Sequence, residues 1–103
     1  MKKIFLFLFF LNISTTVFSD SKMELGLDIY NNKAQCGTCH ILNAAISEGE
    51  IGPNLDNLMP TLSQVMMAVK NGIGVMPSFD GILTSEEIEA VSYFVSEKAG
   101  KNN

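Results

Sequence analysis

The chain has 103 residues, 47% of them hydrophobic and 17% charged, with seven Lys, no Arg, eleven acidic residues and a formal net charge of −4 at pH 7. That length allows one domain, and the acidic balance argues against nucleic acid as a main partner. Two Cys and one His cannot close a structural zinc site without carboxylates, nor can they staple a multi-disulfide scaffold.

Residues 1–19 read as a secretory signal. Lys2 and Lys3 supply positive charge, Ile4 to Leu11 is an unbroken apolar run, and Val17 and Ser19 fill the small-residue positions before Asp20. The layout predicts cleavage after Ser19. The alternative is an uncleaved anchor, which requires about 20 apolar residues. The working domain is then 20–103, with five Lys against eleven acidic residues and a formal charge of −6. Export brings the two cysteines into oxidising conditions, where a lone pair becomes a disulfide by default.

Three segments beyond the signal carry helical periodicity. Glu24 to about Lys33 places Leu25, Ile29 and Asn32 on one side, with Leu27 and Tyr30 nearby. Leu62 to Asn71 has apolar residues at 62, 65, 66 and 69, with Thr61 as N-cap and Gly72 as stop. Ser85 to about Lys98 opens with a Thr84/Glu87 capping box, presents Ile88, Val91, Val95 and neighbouring Phe94, and ends at Gly100. Loops rich in Gly, Pro and Asn cover 43–60 and 72–83, and no strand alternation stands out. The fold class is all-α. Three short helices with two long loops make a poor core unless the loops pack on a large apolar group.

Cys36-Gly37-Thr38-Cys39-His40 identifies that group as a c-type haem. Two thiols that add across the vinyl groups of one haem edge must reach it from one short turn, and the adjacent His can then bring Nε2 beneath the iron. Three other readings of the motif remain: a simple disulfide, a thioredoxin-like redox pair, and a metal-thiolate site built with His40 and an acid. The first leaves His40 unexplained, the second needs a βαβ context, and the third has no second Cys pair.

With this motif, the chain resembles the class I cytochromes c, especially the small soluble bacterial and algal type, over Gly26 to about Lys98. The resemblance implies a small cytochrome c fold of three main helices and loops around one haem c, attached through two thioethers. It matches Gly26 and Tyr30 to the small residue and aromatic of the first helix, and Tyr93 to the aromatic of the last. Gly52-Pro53-Asn54-Leu55 looks like the family's G-P-x-L segment, whose Pro carbonyl accepts the Nδ1–H of the proximal His, here His40. Met76-Pro77-Ser78-Phe79 looks like its M-P-x-F ligand loop, which makes Met76 the second iron ligand. Met59-Pro60 is the rival. Leu55, Phe79 and Ile41 are candidates for packing on the haem. A Trp that many relatives place near a haem propionate is missing.

The function implied is one-electron transfer by a His/Met-ligated haem, not enzymatic catalysis. The carrier is a periplasmic monomer moving electrons between a donor and an acceptor whose docking patches are basic, with membrane contact only through partner complexes. Two alternatives stand beside it. One is a haem subunit of a dehydrogenase or oxidase, with Met23, Ile46 and Ile51 in the contact surface. The other is a small haem peroxidase or gas-binding protein, should Met76 leave the iron.

Overall fold

The computed structural model describes residues 15–101, with side-chain environments from Asp20 onward. The expected signal segment lies outside the described residues as far as residue 14. Helix α1 is Thr15–Asp28, so it starts before the expected Glu24 and runs through the expected cleavage point. It also ends earlier than expected, because Ile29–Lys33 is a π turn, closed by Ala34 N–H donating to the Ile29 carbonyl at 2.8 Å. The wider turn lets two sequence neighbours face inward together. Ile29 is 1% exposed and Tyr30 is 0% exposed.

A 3-10 turn at Cys36–Thr38 follows, then two short antiparallel segments, β1 (Ile41–Leu42) and β2 (Ser47–Glu48). Ile41 pairs with Glu48 and Leu42 with Ser47. This ladder was not expected from the sequence, because two residues cannot display an alternation. Helix α2 (Leu55–Leu58) is likewise unannounced by periodicity. Its signal is the cap: the Asn54 side chain accepts from Asn57 N–H at 3.2 Å.

Helices α3 (Leu62–Asn71) and α4 (Ser85–Lys98) have the expected bounds. Each opens with a complete capping box, Thr61 with Gln64 and Thr84 with Glu87, so two orphan N–H donors are satisfied reciprocally at each start. Gly72 ends α3 in a positive-φ conformation that suits glycine, with φ at 79°. Acidic Glu86 and Glu87 at the start of α4 and Lys98 at its end suit the helix dipole.

Helix α4 is the spine and packs against both α1 and α3. Its Ile88, Val91, Phe94 and Val95 are buried with Ile29, Tyr30, Leu42 and Leu83. The α1–α4 crossing is made at Gly26. A Cβ there would overlap the Ala90 carbonyl oxygen and lie 2.6 Å from Phe94 Cβ. The aromatic at this crossing is Phe94, whose ring lies 5.9 Å from that of Tyr30 at 59°. The expectation of Tyr93 there is corrected. One residue is about 100° of helix rotation, enough to leave Tyr93 half-buried under Lys22, whose Nζ is 4.8 Å from the ring centroid.

Two ion pairs fasten the first helical stretch to α4: Lys22 with Glu89 at 2.9 Å and Lys33 with Glu87 at 2.7 Å. Both are solvent-accessible and contribute little each. Within α4, the Ser92 hydroxyl is fully buried with no hydrogen-bond partner among the described residues. Replacing it with Ala removes an unpaired polar group at almost no cost in volume. Ser92→Ala is therefore expected to stabilise the fold by about 1 kcal/mol, read as a Tm rise of roughly 4–8 °C by calorimetry.

Candidate functional site

The C-x-x-C-H segment is wound as one tight turn. Gln35, with φ at 54°, turns the chain out of the π turn, and the Cys36 carbonyl accepts from both Cys39 N–H and His40 N–H at 3.1 Å. Residues three apart in a 3-10 turn eclipse one another. Cys36 and Cys39 therefore project to the same side, with His40 directly after them. Cys36 and Cys39 are not joined in a disulfide, and both are partly buried. Burial pushes the Cys36 thiol up to about 11, so it is protonated at neutral pH.

Residues 47–53 wrap back over this turn. Gly52 N–H donates to the Cys39 carbonyl at 2.7 Å, and Ser47 Oγ donates to the His40 carbonyl at 2.9 Å. His40 Nδ1 lies 2.8 Å from the Pro53 carbonyl. A carbonyl only accepts, so Nδ1 carries the proton and Nε2 is left with the ring's free lone pair. The imidazole lies flush on Gly52: a Cβ at that position would come 2.6 Å from Cε1 and 3.0 Å from Nδ1. The G-P pair thus does two jobs at once, clearing space for the ring and orienting it.

Leu55, the first residue of α2, is 9% exposed and belongs to the buried cluster, whereas Ile41 is half-buried. Met76 and Phe79 pack at the edge of the same cluster. The Met76 loop is more tightly built than an extended glycine-rich approach. Ile73 N–H donates to the Met76 carbonyl at 3.0 Å and Met76 N–H returns to Ile73 at 2.9 Å, closing a turn over Gly74. Ser78 Oγ donates to the Lys70 carbonyl at 2.6 Å, and Phe79 N–H donates to the Val69 carbonyl at 2.9 Å, so the end of α3 anchors the loop. Met59 is exposed, at the C-terminal end of α2. Its thioether lies against Gly100, where an added Cβ would come 2.8 Å from Met59 Cγ.

Two side chains that the sequence does not single out tie the site to the fold. Asp56 accepts from Asn43 N–H and from Gly100 N–H, both at 2.8 Å, linking the loop after the motif to the end of α4. Ser47 also accepts from the Tyr30 hydroxyl at 2.9 Å, its own proton being given to His40. Neither has a local signature, because every partner is distant in the chain.

Burial pushes the Tyr30 phenol from 10.0 up to about 12, partly offset by its bond to Ser47. Between those values the unfolded chain loses the proton first. The stability held by neutral Tyr30 is thus full below pH 10 and is lost as pH rises through 12. The expected loss is roughly 2–3 kcal/mol, measured by denaturant unfolding across that range, and Tyr30→Phe should remove this part of the slope.

Fold and site together define a small helical protein organised around a C-x-x-C-H turn. The family described as cytochrome C oxidase, cbb3-type, subunit III, matches residues 21–95. The chain is 32% identical over 82 residues to cytochrome c6 of Euglena gracilis, covering 73% of this chain and 91% of that protein. It is 30% identical over 92 residues to cytochrome c6 of Gracilaria tenuistipitata var. liui, covering 85% of this chain and 82% of that protein. The crystal structure of the c-type cytochrome SorU from Sinorhizobium meliloti superposes with a TM-score of 0.74 at 50% identity, over 80% of this chain and 95% of that one. The chain belongs to the cytochrome c family, as a small class I member. Its cofactor is a covalently bound haem c, and it is an electron carrier, not an enzyme, working with redox-protein partners.

Proposed function

We propose that this chain is an exported one-electron carrier in which Cys36 and Cys39 hold the haem through two thioethers and His40 and Met76 are the iron ligands. The observation that carries this reading is the 2.8 Å contact between His40 Nδ1 and the Pro53 carbonyl, which leaves Nε2 as the only ring nitrogen able to bind iron. The donor set suits the group: two thiols on one side of one turn, and an imidazole whose tautomer is already chosen. When bound, the haem supplies an Fe(III)/Fe(II) couple.

The protein's own part is to hold ligands still. Donation from Nδ1–H to Pro53 makes the imidazole a stronger donor. The Met76 thioether, soft and uncharged, favours the reduced metal, and the closed turn at 73–76 keeps it at one place. Leu55 and Phe79 supply apolar packing beside the site. The protein works in the periplasm as a monomer after cleavage behind Ser19. Its net charge of −6 over residues 20–103 selects donors and acceptors with basic docking patches. Electron-transfer rates with such a partner should fall as ionic strength rises, and a salt-independent stopped-flow rate would contradict this.

Intact mass spectrometry of the exported protein tests the attachment. Wild type should carry the mass of one haem, and the Cys36→Ala, Cys39→Ala double variant none. Covalent haem persisting in the double variant would defeat the assignment. A second reading, a haem subunit held within an oxidase, is favoured by the description of the matching family. Co-purification of a stoichiometric oxidase partner would support it over the free carrier.

A further inference from the structure

Ser47 follows a strained residue. Ile46 has φ at 56° with its side chain 86% exposed, a left-handed conformation that is a strained outlier for a β-branched residue. Packing of Ile46 among the described residues does not offset that strain. The kink instead delivers the next residue inward, where Ser47 Oγ meets two partners at 2.9 Å, the His40 carbonyl and the Tyr30 hydroxyl. The Leu42 carbonyl, at 3.5 Å, is the more distant acceptor. A serine has one proton. Given to His40, it leaves Oγ to accept from Tyr30, so the hydroxyls run in one direction from core to motif.

We propose that Ser47 is a positioning residue for His40, relaying the rigidity of buried Tyr30 to the iron ligand. The proposal rests on the reading of His40 as that ligand. Residue 30 is held by the π turn and by the Phe94 ring, so the relay starts from one of the most deeply buried side chains described. Its far end is the segment that also carries Gly52 and Pro53. That segment grips the motif at three points: Ser47 on the His40 carbonyl, Gly52 N–H on the Cys39 carbonyl, and Pro53 on the His40 ring. Loss of the first grip frees the segment to lift, which lengthens the Nδ1–H bond to Pro53. A weaker bond there makes His40 a poorer donor and shifts the metal towards Fe(II).

The test compares wild-type holoprotein with Ser47→Ala and Tyr30→Phe, reading the midpoint potential and the NMR exchange rate of His40 Nδ1–H with solvent. Ser47→Ala should shift the Fe(III)/Fe(II) balance three- to tenfold towards Fe(II), about 28–59 mV upward at 59 mV per decade, and speed Nδ1–H exchange about tenfold. Tyr30→Phe, which keeps the ring and the fold, should move both readouts at least twofold in the same direction, and it carries the test if Ser47→Ala does not fold. Variants that lose thermal stability while both readouts stay at wild-type values would overturn the proposal and leave Ser47 a structural residue. A wild-type spectrum without histidine ligation would overturn the parent reading as well, and it would show before any variant is compared.

Discussion

Gly26→Ala is expected to destabilise the fold by about 3 kcal/mol, lowering Tm by roughly 12–24 °C. The methyl group would overlap the Ala90 carbonyl oxygen and sit 2.6 Å from Phe94 Cβ. Neither neighbour can rotate away, because one is backbone and the other is the first atom of a buried side chain. Relief requires α1 and α4 to separate, which unpacks Tyr30 from Phe94 and loosens the stretch that leads into Cys36. Glu24→Ala, on the exposed side of the same helix, should stay within about 0.5 kcal/mol of wild type. Calorimetry of the pair separates steric overlap from any general effect of helix substitution. Equal Tm values would mean that the crossing tolerates a wider gap than its geometry indicates.

The second large effect concerns the iron. On the proposed ligation, Met76→Ala opens the sixth position, so the ferrous protein should turn from CO-inert to CO-binding, lose its sharp low-spin spectrum and fall in potential. Met59→Ala should change none of these, since the Met59 thioether lies against Gly100. The reverse pattern would hand the ligand role to Met59. Stability separates the two changes less well, because Met76 also packs on the core.

What could be read from the sequence was whatever is local. The bounds of α3 and α4 follow from Thr61, Thr84 and Gly72, residues whose capping chemistry acts within one turn. The cysteine and histidine spacing is likewise contained in five residues. The end of the first helix departs from a 3.6-residue pattern, because the π turn sets Ile29 and Tyr30 inward together. Tyr93 and Phe94 are adjacent aromatics, and the sequence does not separate them at the crossing until the helix phase is known. Four-residue α2 and the two-residue strands are too short to show a period at all. Ser47 and Asp56 carry no sequence signal for a different reason. Their partners at 30, 40, 43 and 100 come together only once the chain is folded.

The central claim is that one chain-borne His and one chain-borne Met hold a covalently attached haem. It is tested most directly by the optical spectrum of the exported protein after acid-acetone extraction, oxidised, then reduced, then exposed to CO. The expected result is colour that stays with the protein and a sharp low-spin reduced spectrum that CO does not move. Colour lost to the solvent would contradict the attachment through Cys36 and Cys39, and a spectrum shifted by CO would contradict Met76 as the sixth ligand.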